Sequence, residues 1–278
     1  MALWRLQKII ARSGKASLRG AEKLIASGRV KVDGLTVTTL GTKADPQKNK
    51  ILVDGLQIEP LRQKFYYLLN KPLGYLTTKY DPRGRPTIMD FLKQIGLPLN
   101  PVGRLDFDTE GLILLTNDGD LTFKLTHPKF EIEKEYLVGV QGELGHQVLE
   151  RLAAGVELED GWAYPAEVEK ISSGRFRLII HEGRKRQIRR MCAAVGLEVV
   201  YLKRIRLGPL VLGDLLPGTW RPLSQNEVET LTEYVKKKID DVRKQFKSGQ
   251  KRRGGAAGLP DCGQSFFKSS GAAYQDSA

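Results

Sequence analysis

The chain has 278 residues, 41% of them hydrophobic, enough to bury the cores of about two domains. Its 45 Lys and Arg against 32 Asp and Glu leave a formal charge of +13, which suits a polyanionic partner because each phosphate neutralised releases a condensed counterion. Two distant cysteines, Cys192 and Cys262, exclude a disulfide framework or a multi-cysteine zinc site, and the scattered histidines His127, His146 and His181 make no metal-binding pattern.

The N-terminal MALWRLQKIIARSGK carries charges among its apolar residues, so it lacks a signal-peptide core. No apolar run approaches the roughly 18 residues of a membrane helix. A reducing, cytoplasmic setting without membrane attachment is the default expectation. Residues 1–61 read as a first unit. Leu3, Leu6, Ile9 and Ile10 recur at helical spacing, with Arg5, Lys8, Arg12 and Lys15 on the other faces. Ser17 is placed to cap a second helix, Leu18 to Ser27, whose buried face is Ala21, Leu24 and Ile25 and which Gly28 ends. RVKVDG and ILVDG follow as short strands, each closed by an Asp-Gly turn signal. Residues 1–60 hold 11 Lys and Arg against 5 Asp and Glu. Two basic helices on a small sheet suit a folded RNA backbone, with Arg5, Lys8, Arg12, Lys15, Arg19, Lys23 and Arg29 as the contacts. The alternative is that these cations only line a solvated face.

A basic connector, residues 61–64, leads into FYYLLNKPLGYLTT, which predicts a strand, a turn at Asn70–Gly74 and a second strand. TTKYDPRGRPTIMDFL then reads as a mobile basic loop whose Lys79, Arg83 and Arg85 contact RNA or help turn a base out, or which is simply solvated. Beyond it, runs such as KEYLVGV and RFRLIIH alternate with the helical stretches LGHQVLERLAAGV and QIRRMCAAVG. The alternation is not a regular βαβ one, so the expected fold class is α+β: a mixed, mainly antiparallel sheet flanked by helices, spanning 64–238. Residues 239–278 are expected to form a basic tail; KKKIDDVRKQFKSGQKRR, which begins just before it, can prolong a helix, and the stretch dominated by Gly, Ala and Ser is disordered. Lys236 to Arg253 holds 9 basic residues against 2 acidic ones, which serves RNA contact or solubility equally well.

The segment PVGRLDFDTEGLILLTNDGDL, residues 101–121, predicts an exposed loop, a buried strand LILLT and a turn at Asn117–Gly119. The loop brings Arg104, Asp106, Asp108 and Glu110 together. Spacing alone leaves two readings open: a reactive carboxylate cluster, or an ion pair from Arg104 with a turn capped by Asp108 and Thr109.

Two resemblances narrow these readings. RLQKIIARSG, AEKLIASGRVKVDG and LGTKADPQKNKILVDG together resemble the S4 RNA-binding domain, with Lys15 and Leu18 as departures from its pattern. GRLDFDTEGLILLTNDGD is similar to the signature of the RsuA/RluB-type pseudouridine synthases. LNKPLGYLTT, EKEYLV, HEGRKRQIRRM and RIRLGPLVLGDLLPGTWRPL follow the same family in order and spacing. The resemblance covers residues 3 to about 235. It implies that Asp106, the Asp of GRLD, is catalytic, that Arg189 pairs with it, and that Tyr136 stacks on the target base. It places Arg184 and Arg186 at RNA phosphates and Arg104 at the substrate. Leu207 either closes the pocket over the base or is a core leucine.

Pseudouridine formation detaches uracil from C1′, rotates it and reattaches it through C5. The reaction needs no cofactor and no metal, and a carboxylate can carry it. Attack on the sugar, attack on the uracil C6 and removal of a ribose proton all remain open for Asp106. The resemblance implies ribosomal RNA as the partner, 23S ahead of 16S, acted on by a monomer. Rivals from other classes are a noncatalytic RNA-binding factor, which would not need the set Asp106, Tyr136 and Arg189, and a phosphate- or sugar-directed hydrolase, which would want metal-ligand spacing or a paired acid and base.

Overall fold

A computed structural model describes residues 3–252 apart from 62 and 164–166. The first unit opens with a strand, β1 (Trp4–Arg5), followed by helices α1 (Leu6–Arg12) and α2 (Leu18–Ala26). Strands β2 (Val30–Val32), β3 (Leu35–Thr36), β4 (Lys43–Ala44), β5 (Ile51–Val53) and β6 (Leu56–Gln57) complete it. Leu3 is a correction to the expected helix face. The chain is extended at β1, which pairs with β4, so the helix starts at Leu6 and Leu3 stays 62% exposed. Ser17 does cap α2, accepting from the Gly20 N–H at 3.0 Å, a contact worth ~1 kcal/mol. Both Asp-Gly turns form with positive φ at each residue, Asp33 and Gly34, then Asp54 and Gly55. That is the tight hairpin geometry that matches strand twist. Leu6, Ile9, Ile10, Ala21, Ile25, Val30, Ile51 and Val53 close one small core. Lys15 and Leu18 are both exposed, so the two departures from the S4 pattern leave that core untouched.

The second unit is built on one nine-stranded sheet. Its strands are β7 (Tyr66–Lys71), β8 (Asn100–Pro101), β9 (Glu110–Thr116), β10 (Lys134–Gln141), β13 (Glu167–Ser172), β14 (Arg175–Ile180), β15 (Glu198–Leu207), β16 (Leu210–Val211) and β17 (Trp220–Pro222). Two further strands, β11 (Val156–Leu158) and β12 (Gly161–Ala163), form a separate hairpin. The main path runs β13-β14-β10-β15-β9-β7-β17, and among its described pairings only β9 with β15 is parallel. The mixed, mainly antiparallel sheet of the sequence reading is therefore present. Helices α3 (Met89–Ile95), α4 (Gly119–Thr126), α5 (His146–Ala154), α6 (Gln187–Ala194) and α7 (Gln225–Arg252) flank it.

β9 explains why its sequence is a continuous apolar run rather than an alternating one. Ile113 and Leu115 enter the core under α3, α5 and α6, while Leu112 and Leu114 enter a second core under α4 and α7. A strand covered on both faces reads this way.

Three details differ from expectation. No second strand follows the Asn70–Gly74 turn; Leu76 makes a single parallel bridge to Thr87 instead. Asn117–Gly119 is not a free turn: the Asp118 carboxylate accepts from the Asp120 and Leu121 N–H groups and starts α4. The folded unit does not stop at 238, because α7 runs to Arg252 and packs Ile239 and Val242 against the second core. The rest of the expected tail, 253–278, lies outside the described residues. No described helix is long and apolar enough to cross a membrane.

Candidate active site

The sheet register sets the site in one row. Lys71 on β7 lies opposite Gly111 on β9, Gly111 beside Arg204 on β15, and Arg204 opposite Tyr136 on β10. The Gly in DTEGLILLT is demanded by this row. Gly111 has φ +111, and a Cβ there would collide with the Arg204 backbone. Arg204 is 2% exposed and donates from Nε to the Leu112 carbonyl at 2.8 Å, which locks β15 to β9. The GRLD loop then folds back on the NKPLGYLTT segment. Thr77 Oγ1 donates to the Leu105 carbonyl at 2.8 Å, and Gly74 N–H donates to the Phe107 carbonyl at 2.9 Å. Two segments about 30 residues apart in the chain thus become one wall of the site.

The loop carboxylates have different fates. Asp108 receives both terminal nitrogens of Arg186 at 3.0 Å. Arg189 Nε lies 3.2 Å from the same carboxylate as an ion pair rather than an aligned hydrogen bond. Arg189 also donates to the Asp108 carbonyl at 2.6 Å and to the Val199 carbonyl at 2.8 Å. Burial pushes the Asp108 carboxyl up, but the two guanidinium groups outweigh it and hold it below the usual range. Glu110 accepts from the Tyr201 hydroxyl at 2.7 Å and sits 3.6 Å from Lys203 Nζ. Asp106, half-buried, keeps a carboxylate with no hydrogen bond or ion pair among the described residues. The expected Arg189–Asp106 pair is therefore corrected to Arg189–Asp108, because the α6 register delivers Arg189 two residues further along the loop.

Cations still surround Asp106 at longer range. Lys71 is fully buried and donates from Nζ to the Pro72 carbonyl at 2.8 Å. Burial pulls its pKa down to about 8, against the attraction of Asp108, Glu110 and Asp106. Arg186 also feels Asp106, and it sits in the left-handed region (φ 51, ψ 32) at the head of α6. A non-glycine residue held there is strained, which is common where a side chain must be aimed. Lys134, on the strand that carries Tyr136, is brought down to about 8 by burial and by Arg204. Tyr136 is 7% exposed within the first core, and no hydrogen bond to its hydroxyl is present among the described residues.

Other expected site residues fall in several places. Arg104 is exposed, as are Lys79 and Arg83, and none of these three has an ion pair among the described residues. Arg85 is committed to Asp81, which also accepts the Arg83 and Arg85 N–H groups, so that loop is a closed turn rather than a free one. Arg184 binds the β11–β12 hairpin instead of facing solvent for a phosphate. Leu207 is 1% exposed and packs with Leu210 and Leu231 in the second core, so it is a core leucine. In the first unit Arg5, Lys8, Lys15, Arg19, Lys23 and Arg29 are exposed. Arg29 pairs with Asp54 at 2.6 Å. Arg12, half-buried, crosses to Asp120 of α4 at 2.7 Å. Lys71, Arg204, Tyr201 and Lys203 were missed by sequence reasoning. A lysine inside the strand YYLLNK was the available signal, since a cation in an apolar run is either a surface face or a buried charge with partners.

With the geometry in place, comparison with known proteins gives its class. A family model described as RNA pseudouridylate synthase matches residues 65–194, and an S4 domain model matches residues 4–49. A protein of Aquifex aeolicus described as an uncharacterized RNA pseudouridine synthase is 44% identical over 236 residues, covering 83% of this chain and 94% of that one. The ribosomal large subunit pseudouridine synthase B of Bacillus subtilis is 45% identical over 233 residues, covering 82% and 95%. A crystal structure of a pseudouridylate synthase superposes with a TM-score of 0.60 at 35% identity, covering 82% of this chain and 99% of that one. The chain belongs to the RNA pseudouridine synthases, in the branch that carries an N-terminal S4 domain. It is an isomerase of that class.

Proposed function

We propose that this enzyme converts a specific uridine of ribosomal RNA, in the 23S molecule, to pseudouridine, with Asp106 as the catalytic residue. One observation carries the assignment. Of the clustered carboxylates, Asp108 and Glu110 are bound to cations or a hydroxyl, while Asp106 has no partner among the described residues and so is available to a substrate. The names of the relatives from Bacillus subtilis and Pseudomonas aeruginosa, both ribosomal large subunit pseudouridine synthase B, support the substrate class.

The chemistry follows from the groups present. The C1′–N1 bond breaks and a C1′–C5 bond forms; the C5 hydrogen leaves as a proton and N1 gains one. Positive character on the sugar, or a covalent bond to it or to C6, is met by the Asp106 carboxylate. Arg186 and Lys71 feel its negative charge through space. Arg189 is a positioning residue, fixing the loop through the Asp108 carbonyl and carboxylate. Tyr136 supplies the aromatic surface for a base turned out of its stack, a step that costs a few kcal/mol. Arg104, Lys79 and Arg83, exposed and without an ion pair among the described residues, meet phosphates beside the pocket, while Arg186 stays on Asp108, and the exposed cations of the S4 domain hold the RNA further off. The enzyme acts as a monomer in the cytoplasm.

Release of tritium from 5-tritiated uridine in 23S transcripts tests this directly, since forming the C1′–C5 linkage expels that atom. The parent should release it, and Asp106→Asn should release none while keeping RNA affinity within a few-fold. Appreciable release by Asp106→Asn would reject the assignment.

A further inference from the structure

Arg184 and Arg190 are spent on a hairpin, and the hairpin displays an aromatic ring. β11 and β12 pair from Val156 opposite Ala163 to Leu158 opposite Gly161. Arg184 Nη1 donates to the carbonyls of Asp160 at 3.3 Å and Gly161 at 2.9 Å, and its Nη2 donates to that of Trp162 at 2.6 Å. Arg190 makes a bidentate pair with the Asp160 carboxylate at 2.8 and 3.0 Å. Glu182 fixes Arg184 in turn, accepting from its Nε at 3.1 Å and from Gln187 at 2.9 Å. The hairpin is thus riveted to the head of α6.

That same short segment grips the reactive loop. Arg186, two residues after Arg184, holds Asp108, which lies two residues after Asp106. The hairpin and the catalytic loop are therefore positioned by one rigid piece of chain. Ala163 is fully buried, so its strand neighbour Trp162 turns outward and is 56% exposed. Between the arginines, Lys185 is exposed and makes no ion pair or hydrogen bond among the described residues. Trp162 contributes little to the core at this exposure. An exposed indole on a strand held by Arg184, whose chain neighbour Lys185 is an uncommitted cation, offers what single-stranded RNA requires, a face for a base and a cation for its phosphate. The opposite strand's Glu157, in register with Trp162, adds a hydrogen-bond acceptor at the edge of that face.

We propose that Trp162 is a stacking subsite for an unstacked nucleobase of the substrate RNA, adjacent to the uridine held at Asp106, with Lys185 at its phosphate. The inference rests on the synthase reading and extends it to a neighbouring nucleotide. Turning one base out leaves its neighbours short of a stacking partner, and the indole replaces what they lose.

The test uses the full chain carrying Asp106→Asn, which holds RNA without turnover. The probes are stem-loop transcripts around the modified uridine, with each flanking nucleotide made abasic in turn. Trp162→Ala should weaken binding of the intact stem-loop by about 5- to 150-fold, the range that one stacked base is worth. Trp162→Phe, which keeps a ring, should recover most of that loss and guards against a folding defect. One abasic transcript should bind the parent as weakly as the intact one binds Trp162→Ala, with no further loss when both changes are combined. Binding by Trp162→Ala equal to the parent's, or losses that simply add for every abasic position, would overturn the proposal and point to a protein partner for the ring. Tritium release by the chain with Asp106 intact separates the two readings. If release occurs and Trp162→Ala binds normally, only the subsite is wrong; if no ribosomal RNA yields release, the synthase reading itself fails.

Discussion

Gly111 shows how much of the site hangs on one residue. Its φ of +111 and the absence of a Cβ allow β15 to lie against β9 at the row that joins Lys71 to Tyr136. Gly111→Ala should destabilise the protein by at least ~1 kcal/mol, seen as a lower urea midpoint, and should slow isomerisation as the loop before β9 shifts. An unchanged midpoint would mean the row tolerates a side chain. Asp106 behaves differently, because its carboxylate makes no hydrogen bond or ion pair among the described residues. Asp106→Asn should leave the urea midpoint within ~0.5 kcal/mol of the parent while abolishing turnover. A large loss of stability in that variant would show that Asp106 has a structural partner after all.

Among the elements, α7 is anchored at its start by a capping box. Ser224 N–H donates to Glu227 Oε2 at 2.8 Å, Glu227 N–H donates to Ser224 Oγ at 3.2 Å, and Arg221 pairs with Glu227 at 2.7 Å. The Arg221 hydrogen bond is the largest influence and holds the Glu227 carboxyl down to about 2, against a usual 4.5. A depressed carboxylate stabilises the fold above its unfolded value, and that contribution is lost as pH falls from about 4.5 towards 2. Parent and Glu227→Gln should therefore differ most in melting temperature at neutral pH and converge as pH falls from about 4.5 to about 2. A gap that stays constant with pH would remove Glu227 as the anchor. This box was open to reading in SQNE, as were the Asp-Gly hairpins and the Ser17 cap, because each is decided within four residues. The hairpin rivets were not legible. Arg184 and Asp160 lie 24 residues apart, and HEGRKRQIRR has several arginines, any of which could have made the pair. The same holds for Arg189, whose partner depends on the α6 register relative to the loop rather than on any local pattern.

For the whole molecule, the +13 charge is divided between two units with separate cores. The S4 unit touches the catalytic unit through Arg12 and Lys8 on Asp120 and around a cavity of about 240 Å³ lined by Trp4, Arg12, Pro60, Leu61, Lys64, Asn117 and Asp118. Exposed ion pairs of this kind are worth ~0–1 kcal/mol each, a small part of a fold's stability. Deleting residues 1–61 should weaken RNA binding and flatten its dependence on salt, because several phosphate contacts disappear. An unchanged salt slope would place the whole grip on the catalytic unit. The order of domains and the family motifs were legible because they are runs of residues. The division of labour among Asp106, Asp108 and Glu110 became visible only from the cations that reach two of them and miss the third.

The most direct measurement is carbodiimide mapping of pseudouridine in ribosomal RNA from cells with the gene, without it, and complemented by parent or Asp106→Asn protein. The account predicts that one site in 23S RNA disappears with the gene, returns with the parent and stays absent with Asp106→Asn. An unchanged map in both ribosomal RNAs, or a site restored by Asp106→Asn, would contradict it.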